Sequence, residues 1–177
     1  LVESLPSILN LLDEEFSQVE QKQLEKLNAH IYVSSQVLQS RVEGNQVRTT
    51  LQTPNGNQDI VTEKVLVAIG RVPNTEELQI RNTHVKTDAK GYILTNNQMR
   101  TDDKRIYAIG DVRGGIMLAH KAAFEAKIAA EAICGKKSIF DNYIPYAIFS
   151  DPEIAGVGLT EKEAKEKGIP YKVARFN

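Results

Sequence analysis

Two apolar runs that end on glycine constrain this chain more than any other feature. Residues 64–70 read KVLVAIG and residues 105–110 read RIYAIG. An uninterrupted apolar strand is suited to burial on both faces, the habit of a parallel sheet covered by helices. The terminal glycine lets the backbone turn and lets a flat ligand come close. Each run hands over to a charged residue, Arg71 in the first and Asp111 in the second. That is where the carboxyl ends of strands in an open α/β sheet form a ligand crevice.

After Asp111 come Gly114 and Gly115, then a predicted helix with alanine at 119, 122, 123, 126, 129 and 130. Those alanines allow the helix to lie close against a sheet or a ligand. Its N-terminus offers free N–H groups to an anion or an electron-rich ring. A carboxylate at Asp111 suits the hydroxyls of a sugar or ribitol. A tightly packed helix capped by an aspartate is the competing reading, and residue chemistry alone leaves both open. Arg71 has the charge to pair with a phosphate or carboxylate, although strand, glycine, arginine and loop is a common succession. Glu3 closes a strand before a helix, the ribose-binding position of a dinucleotide fold. The G-x-G-x-x-G loop that accompanies such an acid occurs nowhere in these residues.

The remaining pattern is mixed. Residues 6–28 predict a helix with Leu12, Phe16, Val19, Leu24 and Leu27 on one face. Asp13, Glu14 and Glu15 lie early in it, where they complement the helix dipole. Turn residues in VEGNQV and TPNGNQ, between alternating runs, predict a β-meander that leads into residues 64–70. TDAKGYILTN predicts a small hairpin, and Gly135 stops the alanine helix. YAIFSDPEIAGVGLT starts a new β segment. TEKEAKEKG predicts a short helix with a Thr160–Glu163 capping box, closed by Gly168. The final YKVARFN alternates like a strand.

Composition excludes several function classes. A net charge of −1, with 41% hydrophobic and 25% charged residues, gives no basic footprint for nucleic acid. No apolar run is long enough to span a bilayer as a helix. One cysteine, Cys134, allows neither an internal disulfide nor a two-thiol centre, and its neighbourhood predicts simple packing. His30, His84 and His120 lack metal-ligand spacing, and His30 and His84 read as surface residues. Ser150-Asp151 has no G-x-S-x-G elbow to make it part of a triad.

VLVAIGRVPNT, RIYAIGDV, GIMLAHKAAFEA and DPEIAGVGLTEKEAKEKG, in this order and spacing, resemble the FAD-dependent pyridine nucleotide–disulfide oxidoreductases. MLAHKA resembles the dihydrolipoamide dehydrogenase branch more than the glutathione or mercuric reductases. The resemblance covers essentially the whole chain. It implies an α/β fragment of a Rossmann-like flavoprotein with two dinucleotide-binding domains, a β-meander and the start of an α+β dimer-interface domain. Residues 1–71 would end the NAD-binding domain, 72–141 would return through the FAD-binding domain, and 142–177 would begin the interface domain.

The same resemblance implies roles. Glu3 would hold the adenosine ribose hydroxyls of NAD and, by repelling a 2′-phosphate, favour NAD over NADP. Val37 would line the adenine side. Ala68, Ile69, Gly70 and Arg71 would pass the nicotinamide end and the flavin edge. Asp111 would bind FAD near its ribitol and pyrophosphate. Met117, Leu118, Ala119 and His120 would turn backbone N–H groups toward the flavin ring, with the His120 side chain structural.

In the parent enzyme, electrons would pass from dihydrolipoamide through a disulfide and FAD to NAD⁺. The implied setting is a homodimer in the bacterial cytoplasm, serving a lipoyl-bearing acyltransferase of a 2-oxoacid dehydrogenase complex. The redox-active cysteine pair and the His–Glu dyad would lie outside these residues, so the isolated chain is expected to be inactive. Two departures from the family pattern, AGVG at 155–158 and Asp151 in SDPE, bear on subunit contacts. The alternatives are another disulfide reductase of the superfamily and a non-catalytic nucleotide-binding module.

Overall fold

A computed structural model describes residues 1–140 and 143–176. The chain divides into two compact units, Leu1–Val67 together with Ala147–Asn177, and Ala68–Tyr146. The expected boundary between residues 141 and 142 lies outside the described residues.

The first unit opens with a parallel pairing. The Tyr32 amide donates to the Leu1 carbonyl at 2.9 Å, the Glu3 amide to Tyr32 at 2.8 Å and the Ser35 amide to Glu3 at 3.0 Å. Parallel neighbours need a long crossover, and helix α1 (Glu14–Lys26) supplies it. The helix starts later than its sequence predicts because Leu9 takes a left-handed φ of 50° and residues 8–12 form turns instead. Its rotation also differs from the expectation. Ser17 and Glu20 are buried, while Phe16, Val19 and Leu27 are 41%, 49% and 70% exposed. The Ser17 hydroxyl donates to the Ile8 carbonyl at 2.5 Å, which fixes the inward face one residue away from the apolar stripe.

The meander forms in register. Strands β1 (Gln36–Glu43), β2 (Gln46–Thr53) and β3 (Gly56–Thr62) are antiparallel, with Glu43 opposite Gln46 and Thr53 opposite Gly56. Each connection is therefore a two-residue loop, Gly44-Asn45 and then Pro54-Asn55. The first uses the positive φ of Gly44, 61°, that such tight turns demand. The central strand buries Thr49 and Leu51, whereas β1 is exposed along its length.

Three predicted strands, at 64–70, 105–110 and 171–177, do not form among the described residues. Residues 64–70 continue past β3 without a ladder, and Leu66 and Ile69 are 90% and 95% exposed. Residues 171–176 are likewise irregular. A strand exists only where a neighbour takes its N–H and C=O groups, and no neighbouring strand pairs with either segment among the described residues.

The second unit is centred on Met99, Ile128, Ala129, Phe140 and Ile144, with Tyr107 and Leu118 packed against them. The predicted hairpin at 87–96 closes through Asp88, whose backbone and side chain accept from Gly91, Lys90 and Tyr92. The run 105–110 makes a single bridge, Tyr107 with Arg100, and not a strand, because among the described residues it pairs with the short segment before a tight turn. That turn is held by Asp103, whose carboxylate accepts from the Arg105 amide at 3.1 Å and from its Nε at 3.4 Å. His84 Nδ1 stands 3.7 Å away.

These contacts, led by the Arg105 amide, lower the Asp103 pKa below its usual range. A lowered carboxylate stabilises the fold above its unfolded pKa of about 3.9 and loses that effect as pH falls through the folded value. The thermal midpoint of the wild type should therefore drop toward that of Asp103→Asn below about pH 4. Parallel midpoint curves for the two proteins from pH 6 to pH 3 would show that Asp103 does not carry this dependence.

Helix α2 (Ala119–Ile133) ends as its sequence predicts. The Lys136 amide donates to the Glu131 carbonyl and the Gly135 amide to Ala132, with Gly135 at φ 81°. That pair of bonds is a Schellman motif. Its buried face is a correction: Lys121, Glu125, Ile128 and Ala129 point inward, while Ala119, Ala123 and Ala130 are exposed. Cys134, expected to pack, is exposed at the helix end. Strands β4 (Tyr146–Ile148) and β5 (Ile154–Gly156) pair, and helix α3 (Glu161–Glu166) carries the predicted capping box in both directions. No helix among the described residues is long and apolar enough to cross a membrane.

Candidate functional site

The predicted site residues fall into two groups, one in each unit. In the first unit, Glu3 ends the opening parallel segment as expected. Its carboxylate accepts from the Leu5 amide at 2.8 Å and from the Ser4 hydroxyl at 3.2 Å. Those bonds hold the acid at the strand end, and only part of its acceptor capacity is used. Val37 lies two residues beyond Ser35, the residue that binds the Glu3 carbonyl. It is 53% exposed, at the start of β1 and beside the bulge between Val37 and Gln39. Glu3 thus ends the segment that pairs in parallel with Tyr32, while Val37 lies in the antiparallel strand β1.

The second unit brings together the two glycine-ended segments. Arg71 Nε approaches Asp111 Oδ2 at 3.4 Å, with the two side chains 73% and 45% exposed. An exposed pair of this kind contributes about 0–1 kcal/mol, so a ligand hydroxyl can displace either partner at little cost. The Tyr92 hydroxyl donates to the Arg71 carbonyl at 3.1 Å. Tyr92 also lies where a Cβ on Gly114 would meet its ring at 3.2 Å. Ala68, Ile69 and Gly70 are exposed, and Gly70 takes a φ of 120° with open space where a side chain would be.

Asp111 sits in a single 3-10 turn, Gly110–Arg113, after the extended residue Ile109. Met117 and Leu118 are half-buried, and Ala119 and His120 are exposed. Leu118 is the N-cap of α2 and makes no side-chain capping bond. The leading N–H groups of the helix thus lack the usual side-chain acceptor and carry its positive dipole end. His120 Nε2 lies 2.6 Å from the Pro145 carbonyl, so the ring is engaged locally, consistent with a structural side chain. Nearby in sequence, Ile109 and Ile116 are 38% and 48% exposed. A half-exposed carboxylate paired only with the exposed Arg71, a helix end without a side-chain cap and exposed aliphatic surface suit a ligand with hydroxyls, a polarisable ring and negative charge. FAD has all three.

Sequence reasoning missed three residues that hold this loop. Glu125 is fully buried, and its Oε2 accepts from the Gly110 amide at 2.6 Å. Its Oε1 meets Arg113 at 2.5 Å and Lys121 Nζ at 3.0 Å. The signal was present as a Lys–Glu pair at i, i+4 among alanines, but that pattern usually marks a solvated face.

The sequence pattern described as pyridine nucleotide-disulphide oxidoreductase matches residues 1–126, and that of its dimerisation domain matches residues 144–177. The dihydrolipoyl dehydrogenase of Thermus scotoductus is 38% identical over 99% of this chain and 39% of its own length. That of Buchnera aphidicola is 39% identical over 99% of this chain and 37% of its own. The HOCl-induced flavoprotein disulfide reductase RclA of Escherichia coli superposes with a TM-score of 0.80 at 25% identity, over 94% of this chain and 38% of that one. The chain thus spans between a third and two-fifths of the relatives it matches. With residues 1–126 inside the family pattern and relatives 38–39% identical over 99% of its length, the chain belongs to the pyridine nucleotide–disulphide oxidoreductases.

Proposed function

We propose that this chain forms the NAD-facing and flavin-facing part of a dihydrolipoyl dehydrogenase that oxidises dihydrolipoamide and reduces NAD⁺. The observation that carries the reading is the convergence of residues 68–71 and 111–120 in one unit, through Arg71 and Asp111. Both loops are the ones the family resemblance assigns to the flavin. The proposed division is NAD-binding for residues 1–71, FAD-binding for 72–141 and interface for 142–177.

Each residue has a physical task in this reading. Glu3 accepts from the adenosine ribose hydroxyls of NAD and disfavours a 2′-phosphate, and Val37 contacts the adenine side. Gly70 leaves room for the close approach of a flat ring, and Ala68 and Ile69 give it an apolar edge. Arg71 balances the charge of Asp111, which accepts from cofactor hydroxyls. The backbone N–H groups of Met117, Leu118, Ala119 and His120 favour negative charge on the ring they face. FAD, when bound, supplies two-electron exchange between a dithiol and a nicotinamide. The dithiol loses two electrons and two protons, NAD⁺ gains a hydride, and one proton is released. With one cysteine in the chain, the redox-active pair must come from residues outside these 177.

The family match to a dimerisation domain at residues 144–177 supports a homodimer as the working form. A lipoyl-bearing acyltransferase is the proposed partner and the bacterial cytoplasm the proposed location. The test is Asp111→Ala in the intact gene product. The variant should bind FAD at least about tenfold more weakly, a difference of about 1.4 kcal/mol. Unchanged FAD affinity with an unchanged flavin spectrum would overturn the reading.

A further inference from the structure

Besides the Ile93 amide on the Val112 carbonyl, the loop that carries Asp111 is held by one buried carboxylate and two cations that the cofactor reading does not use. Glu125 is 0% exposed, and Lys121 and Arg113 are 5% and 17% exposed at their side chains. Glu125 Oε2 takes the Gly110 amide at 2.6 Å, one residue before Asp111. Glu125 Oε1 takes Arg113 Nη1 at 2.5 Å, two residues after it. Lys121 Nζ donates to the Gly114 carbonyl at 2.9 Å, and the Gly114 amide donates to the Asp111 carbonyl at 3.0 Å. Arg113 Nε reaches Thr95 Oγ1 at 2.9 Å, which ties the same cluster to the hairpin side of the unit.

From this geometry we infer that Glu125 is a positioning residue for Asp111: with Lys121 and Arg113 it fixes the turn 110–114, and through that turn the carboxylate that meets the cofactor. The inference rests on the flavin reading given above. A fully buried carboxylate with charge-assisted bonds to Gly110, Arg113 and Lys121 is confined to one geometry, which restrains the turn. Supports of this kind matter because displacement of a binding group by about 1 Å loosens a site markedly. The cluster is also unbalanced, one negative charge facing two positive ones. Removing Glu125 would leave two cations buried beside each other, so the turn would have to move to rehydrate them.

A double-mutant cycle on FAD affinity tests this in the intact gene product, with Glu125→Gln, Asp111→Ala and the pair. If Glu125 acts through Asp111, each single change weakens FAD binding about tenfold or more, and the double variant is no weaker than about the Asp111→Ala variant alone. Multiplied effects, of about a hundredfold together, would mean that Glu125 contributes independently of Asp111 and would overturn the inference. So would unchanged FAD affinity in Glu125→Gln while Asp111→Ala weakens it. If Asp111→Ala itself leaves FAD affinity intact, the flavin reading fails and takes this inference with it. Where the Gln variant does not fold, Glu125→Asp replaces it in the cycle. That variant keeps the charge but withdraws the carboxylate by one methylene, and wild-type FAD affinity in it would overturn the inference.

Discussion

Replacing Gly114 by alanine should destabilise the second unit by about 3 kcal/mol, the upper range for a residue forced into a sparsely populated backbone region. Gly114 has φ 74° and ψ −159°, a conformation that belongs to glycine alone. Two further effects act in the same direction. An added Cβ would lie 3.2 Å from the Tyr92 ring, tight enough that the ring or the turn must give by a few tenths of an ångström, and Tyr92 is also the donor to the Arg71 carbonyl. Relief would require the turn or the ring to shift, and either movement disturbs the convergence of Arg71 and Asp111. Hydrogen exchange reads the result locally. The Ile93 amide, bonded to the Val112 carbonyl at 2.9 Å, should lose protection by about two orders of magnitude. Unchanged protection at Ile93 in the alanine variant would show that the turn accepts a side chain.

Truncating Met99 to alanine should cost about 2–5 kcal/mol, the usual range for a large apolar side chain removed from a closed core. Met99 is fully buried against Ile128, Ala129, Phe140 and Ile144. It adopts a left-handed φ of 63°, which its own backbone disfavours. The Asn96 side chain accepts from the Gln98 and Arg100 amides and shapes the bend that turns Met99 inward. Packing thus outweighs a local cost. Met99→Leu, which nearly conserves volume, should lose under about 1.5 kcal/mol. Thermal midpoints of the two variants provide the check. A midpoint for Met99→Ala within a degree of wild type would mean the core closes around the gap.

The candidate site could be drawn from the sequence because its parts are local. Gly70-Arg71 and Gly110-Asp111 are sequence neighbours, and each glycine takes a positive φ, 120° and 76°, although neither run before it forms the predicted strand. What the sequence concealed was their support. The alanine helix was expected to turn alanines inward, yet Lys121 and Glu125 are inside and Ala119, Ala123 and Ala130 are outside. A lysine and a glutamate reach the interior only when they neutralise each other and satisfy backbone groups there. That condition depends on Gly110, Arg113 and Gly114, which the helix cannot know from its own residues.

The sequence by itself determined the turns, the caps and the meander. Gly44-Asn45 and Pro54-Asn55 set the register of three strands, Gly135 and Gly168 end helices through short backbone bonds, and Thr160 and Glu163 start one. In each case the partners lie within a few residues, so the deciding hydrogen bonds are written locally. Only the tertiary structure decided which face of α1 is buried, that a charged triad holds the Asp111 turn, and that residues 64–70 and 171–176 run without a ladder. Burial and strand pairing are set by whatever stands opposite, and those partners are distant in the chain or provided by no described residue.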